Sequence, residues 1–170
     1  ANDLIYNLGL ADVYVLTEIQ DNDGPTNSGT VSASQTLQQI VDAIFAESGV
    51  QYAYVDNTMI TDDRNGGEPG GNIRVTFLYR VDRVDFIEGS VTSVTDPTDQ
   101  ATNPLNPFYG SRLPMVGTFT FLPTMTDVTV IGNHWTSKGG SDPLMGSNQP
   151  PGNAGEGSRV EQGDAVNAYI

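Results

Sequence analysis

Apolar residues fall along this chain in two rhythms. From Asp12 to Glu18, from Ile73 to Arg80, from Met115 to Phe121 and from Val128 to His134 the runs are short, β-branched or aromatic, and of strand length. Tyr52 to Val55 and Val84 to Ile87 read as shorter strands of the same kind. Between Ser34 and Ser48 the rhythm changes: Leu37, Ile40, Val41, Ile44 and Phe45 recur at the spacing of one helical face. Ser32 or Ser34 is the expected cap of that helix and Gly49 its expected stop. A second helical stretch runs from Ser158 to Ile170, with Gln162, Val166 and Tyr169 on one face. Leu4 to Leu10 reads as a helix end or turn leading into the first strand.

The polar stretches are loops by composition. They cover Gln20 to Pro25, Asp62 to Gly71, Thr95 to Gly110 with three prolines, and Gly139 to Gly157. A turn at Leu122-Pro123-Thr124 joins the last two strands. Strand groups separated by a helix predict layered α/β (α+β) packing of one domain over residues 1–170, rather than a pure β-sandwich. Loops this long are uncommon unless they carry function.

Charge narrows the range of partners. Twenty-one acidic residues stand against seven basic ones, a net charge of −14 over 170 residues. Such a surface repels polyanions at long range, which excludes general nucleic-acid coating but allows a few phosphate contacts. Cysteine is absent, so neither a disulfide framework nor a thiolate zinc site exists. No run approaches the ~20 apolar residues of a membrane span. The acidic, lysine-poor composition leans towards an extracellular or periplasmic setting, and the start at Ala1-Asn2-Asp3 is what a processed or truncated product would show.

Candidate chemistry collects at strand ends. The one histidine, His134, stands where the run Val128 to Gly132 gives way to a glycine-rich loop, and Glu18 closes the first strand. Imidazole suits acid–base work or a bond to phosphate near neutral pH. A carboxylate supplies the hard oxygen that Mg²⁺ prefers. Arg112, just ahead of a strand, carries a fork that fits phosphate oxygens. Arg74 and Arg80 flank a strand and read as structural. Asp21-Asn22-Asp23-Gly24 is not an EF-hand loop, because its glycine comes two positions early. Gly66 to Gly71 is not a phosphate-binding loop, since no Lys-Ser/Thr or helix follows.

Four blocks in order resemble one known family. Ala11 to Gln20, Asn72 to Arg80, Ser111-Arg112-Leu113-Pro114 and Asn133-His134-Trp135-Thr136-Ser137-Lys138-Gly139 are similar to motifs of the endonuclease/exonuclease/phosphatase superfamily, and the last resembles its bacterial secreted nucleases. The resemblance implies a DNase I-like four-layer α-β-β-α sandwich, only partly represented here. It implies a metal-dependent phosphodiesterase acting on nucleic acid. Glu18 would bind Mg²⁺, with Mn²⁺ or Ca²⁺ as substitutes. His134 and Arg112 would hold the scissile phosphate, and Asn133, Lys138 and Arg159 would contact substrate.

Departures from the pattern carry equal weight. The family's first-strand Asn, its Gly-Asp-Phe-Asn-type block and its closing Ser-Asp-His block have no counterpart in this sequence. Asn72 and Ile73 occupy the place where relatives keep a carboxylate for the histidine, which leaves the partner of His134 open, with Glu68 as a substitute. The chain is therefore expected to be a truncated domain of low activity. Its sheet face at Val75, Phe77 and Val130 is expected to lie bare and to favour aggregation. Two other functions are compatible with the sequence. One is an acidic extracellular module binding calcium or glycan; the other is a small-molecule or lipid phosphodiesterase or phosphatase.

Overall fold

A computed structural model describes residues 1–65 and 70–170; Glu68 therefore lies outside the described residues. A short π-helical turn, Asp3–Asn7, precedes β1 (Val13–Ile19). Then come α1 (Ser34–Ser48), β2 (Tyr52–Val55), β3 (Arg74–Arg80), β4 (Val84–Phe86), α2 (Pro97–Thr102), β5 (Met115–Phe121), β6 (Thr126–Gly132) and α3 (Glu156–Tyr169). The chain is a mixed α/β structure with two three-stranded antiparallel sheets, ordered β1-β3-β2 and β4-β5-β6.

β3 is the hub, because its alternate residues face two different cores. Leu78 turns towards α1 and packs in a cluster with Tyr14, Leu37, Val41, Ile44 and Tyr52. Val75 and Phe77 turn the other way, into a cluster with Val84, Met115 and Phe119 of the second sheet. Phe77 meets Phe119 edge to face at 5.6 Å between ring centroids. The expectation of a bare face is thus corrected: Val75 and Phe77 are fully buried under β4 and β5, and Val130 packs against the same cluster. The second sheet joins the β5–β6 hairpin to β4, which pairs with β5 across the long connection that holds α2, and these strands cover that face. Apolar surface stays open towards the free edges, at Val15 and Val128.

Two local expectations also change. The cap of α1 comes from a distance: Asn22 Oδ1 accepts from the amides of Gln35 and Thr36, at 2.8 and 3.3 Å, while Ser32 Oγ takes only that of Ser34. Gly49 does end the helix, in the left-handed region at φ 70°. The loop from Thr95 to Gly110 contains α2, whose start is capped by Asp96 accepting from Thr98 and Asp99. A helix of six residues leaves too little periodicity to be read from sequence. No helix among the described residues is long and apolar enough to cross a membrane.

Candidate functional site

Two irregularities bring the ends of β1 and β6 together. Leu16 pairs with Thr76 and Ile19 with Arg74, so Thr17 and Glu18 together oppose the single residue Val75. This is a β-bulge, a device that re-aims a side chain at a sheet edge. Glu18 sits in it at φ +59°, in the left-handed region that a residue with a Cβ seldom adopts.

The second irregularity is Gly132. A Cβ there would lie 2.5 Å from Val75 Cγ1 and 2.8 Å from Val15 Cγ1. Only glycine lets the end of β6 run this close across β1 and β3. His134 follows two residues later and is carried over the bulge. Its Nε2 lies 3.4 Å from Glu18 Oε1.

Arg112 completes the corner. Its Nη2 donates to the carbonyl of Trp135 at 2.5 Å, and Ser111 Oγ donates to the carbonyl of His134 at 3.4 Å. Burial lowers the pKa of His134 below its ordinary 6.5, and the Arg112 charge lowers it further, while Glu18 pulls the other way. The imidazole is therefore neutral near pH 7. Burial also lowers the Arg112 pKa, against the opposing pull of Glu18. The side chain of Glu18 stays 69% exposed whereas that of His134 is 19% exposed, so the corner has a wet acidic rim and a drier basic floor.

Polar atoms in this corner lack partners. Among the described residues, Arg112 Nε, Asn133 Oδ1 and His134 Nδ1 are buried without a hydrogen bond. Buried polar groups are nearly always paired, and three of the six unpaired ones among the described residues belong to Arg112 and the adjacent Asn133 and His134. Arg74, Arg80 and Arg83 are each paired to an acid (Asp56, Asp82 and Asp12), whereas among the described residues Arg112, like Arg64 and Arg159, forms no ion pair.

Comparison with known proteins gives no match: no family model fits this chain, and no curated protein or solved structure is similar to it. The geometry therefore stands alone. It brings together Glu18, Arg112 and His134, with Asn133 alongside, from parts of the sequence up to 116 residues apart.

Two residues picked from the sequence behave differently. Lys138 stands in the exposed loop, and among the described residues its ammonium has no hydrogen-bond or ion-pair partner. Arg159 is occupied: Nη1 donates to the carbonyls of Thr136, Ser137 and Ala154, and Nη2 to Asn153 Oδ1. Its guanidinium is thus bonded to four acceptors of the neighbouring backbone and loop.

Arg74 is structural, as its place on β3 indicates. It is 1% exposed, paired with Asp56 at 3.3 Å, and donates to the carbonyls of Asn72 and Val31. Asn72 is equally committed, donating to Asp21, Asp62 and the carbonyl of Thr30. These bonds also use Asp21, the first acid of the calcium-like loop, while Asp23 accepts from Ser28. Gln162, seen in the sequence only as one residue of a helix face, is fully buried and bonded to Thr136. A glutamine on a weakly apolar helix gives no sequence signal for that role. Gly132 did carry one, since an interior strand glycine marks a close backbone approach.

Proposed function

We propose that this chain carries the phosphate-gripping part of a metal-dependent phosphodiesterase site, with nucleic acid as the leading substrate class. The observation that supports it is the meeting of Glu18 and His134 at 3.4 Å beside Arg112, whose guanidinium feels the Glu18 charge but among the described residues forms no direct ion pair. A cation hydrogen-bonded to a neutral carbonyl and beside one exposed carboxylate that can take a metal keeps donors for an anion. Neutral His134 can donate one hydrogen bond to a phosphoryl oxygen. Arg112 can then counter the charge that grows on the others as the phosphorus is attacked.

The donor chemistry fits Mg²⁺, Mn²⁺ or Ca²⁺. Glu18 presents an exposed hard oxygen at a strand end, and Mg²⁺ takes one or two carboxylates while keeping several waters. Among the described residues no group of three or more His, Asp or Glu forms a ready-made cage, so Glu18 is the protein ligand this reading names. A cation bound there supplies Lewis-acid charge to the phosphoryl oxygens. The chain's own residues then orient the phosphate from the opposite side.

Hydrolysis also needs a base to take a proton from the attacking water. The single imidazole is already assigned to the phosphate, so turnover by this chain alone is expected to be slow. The DNase I-like sandwich and an extracellular or periplasmic setting belong to the same proposal.

Nuclear magnetic resonance of the sole histidine tests it. Mg²⁺ at millimolar concentration, followed by inorganic phosphate, should shift the His134 ring signals in the native chain and not in Glu18→Ala. A response to Mg²⁺ that survives Glu18→Ala, or no response at all, overturns the reading. Vigorous plasmid nicking abolished by EDTA and by His134→Ala would overturn the expectation of slow turnover.

A further inference from the structure

Hydrophobic burial does not explain the position of α3. The one buried side chain of this 14-residue helix is an amide, Gln162, while Val160 and Tyr169 face solvent. The destination of that amide is informative. Its Oε1 accepts from the backbone N–H of Thr136 at 3.0 Å, and its Nε2 donates to Thr136 Oγ1 at 3.0 Å and to the carbonyl of Pro107 at 3.1 Å.

Arg159 lies three residues earlier on the same helical face. Its Nη1 donates to the carbonyl of Thr136 at 3.3 Å and to that of Ser137 at 3.1 Å. Both backbone groups of Thr136 are therefore held by side chains of one helix. β6 has ended at Gly132, so beyond it no sheet ladder fixes the chain. Backbone groups leaving a strand must find partners elsewhere, and here α3 provides them.

The gripped segment leads straight into the candidate site. One residue before Thr136 is Trp135, whose carbonyl fixes Arg112 Nη2; one residue further back is His134. We propose that Gln162 and Arg159 are positioning residues: through Thr136 they set where the Arg112 guanidinium and the His134 ring stand relative to Glu18. This assignment rests on the phosphodiesterase reading for its purpose, but on the bonds of Thr136 for its geometry. Displacements of about 1 Å remote from the chemistry can cost a hundredfold in rate, so such a clamp is functionally significant.

The test separates positioning from simple stabilisation. Gln162→Met keeps the bulk and removes all three bonds; Arg159→Met removes the other half of the grip. Val166→Ala, half-buried on the same helix, serves as a control that loosens α3 without touching Thr136. Amide exchange and the ring and guanidinium resonances of His134 and Arg112 are compared at one pH, together with the affinity for Mg²⁺ plus inorganic phosphate.

Gln162→Met, which removes the acceptor of the Thr136 N–H, should speed exchange at Thr136 by about tenfold, as loss of one hydrogen bond implies; Arg159→Met, which frees the Thr136 carbonyl, is read at the Arg112 and His134 signals. Both Met variants should displace the Arg112 and His134 signals and weaken phosphate binding by about tenfold. Val166→Ala should lower Tm and leave those signals in place. If the Met variants lower Tm with Arg112 and His134 signals at their native positions, the proposal is overturned. Should Gln162→Met fail to fold, Arg159→Met decides alone. A native chain that ignores Mg²⁺ and phosphate refutes the phosphodiesterase reading, while the displaced resonances still decide the clamp.

Discussion

Replacing Glu18 by glycine should leave the protein more stable than replacing it by alanine, although both remove its candidate metal ligand. Glu18 sits at φ +59° in the bulge of β1. A residue with a Cβ held in that region costs about 1–2 kcal/mol relative to glycine. Glycine in turn gives back about 0.5–1 kcal/mol, because its unfolded chain has more freedom to lose. The net expectation is a gain of about 0.5–1 kcal/mol over Glu18→Ala, taking the difference of those two terms. Alanine is the right reference, since both variants lose the carboxylate and its contact with His134 and differ only in backbone freedom. Urea unfolding followed by circular dichroism measures this as a higher midpoint at unchanged slope. In a domain of this size the melting temperature should rise by about 1–4 °C. Neither variant should respond to Mg²⁺. If Glu18→Gly unfolds at lower urea than Glu18→Ala, the bulge is not a strained element and the argument from backbone geometry to function fails.

Further outcomes follow from the same contacts. Gly132→Ala places a methyl against Val75 and Val15 and should lose about 1–3 kcal/mol in urea unfolding; an unchanged midpoint would show that β6 does not press on the first sheet. Phe77→Ala, emptying the space between the sheets, should cost about 3–5 kcal/mol, and a loss below ~1 kcal/mol would mean that the sheets are not packed as described. The pKa of His134 is lowered on folding, so its contribution to stability is present above its ordinary 6.5 and is lost as pH falls through the folded value. Measured between pH 8 and 5, the native chain should therefore lose stability relative to His134→Gln as acidity rises, and a pH-independent difference contradicts the burial argument. Glu18→Ala removes the one influence that raises this pKa, so the ring should titrate at still lower pH in that variant.

Much of the fold was legible because its strands are long, β-branched and separated by turn residues. β3 and β5 fall within a residue of the runs read from Ile73 to Arg80 and from Met115 to Phe121. The apolar face of α1 was equally clear at Leu37, Val41 and Ile44, though Phe45, counted with them, lies exposed. Features set by tertiary partners were not legible. The cap of α1 comes from Asn22, and the cover of Val75 and Phe77 comes from strands whose placement no local pattern encodes. The site divides in the same way. His134, Glu18 and Arg112 could be picked from residue type and strand position, whereas the bulge that aims Glu18 and the bonds that engage Arg159 depend on register and on distant backbone.

The candidate site lies where the fold is least able to hold it by packing. The apolar core sits at Phe77 and Phe119, whereas Glu18 lies in the bulge of β1, where the ladder is interrupted, and Arg112 and His134 lie just outside β5 and β6. Its members are therefore positioned by single polar bonds: Arg112 by the Trp135 carbonyl, and Thr136 by Gln162 and Arg159. Each such bond contributes only about 1 kcal/mol to stability, yet it fixes an orientation that packing at the rim cannot. Arg112 shows what the arrangement preserves. In a chain of 21 acids its hydrogen bond goes to a neutral carbonyl, and Glu18 acts on it through space without a direct ion pair among the described residues. Arg83 and Arg74 instead take acidic partners, Asp12 and Asp56. Substituting Trp135 leaves its carbonyl in place, whereas moving the Trp135–Thr136 peptide through Gln162→Met frees the guanidinium. The site should therefore be more sensitive to the buried amide than to the neighbouring indole, an order of effects that packing alone would reverse.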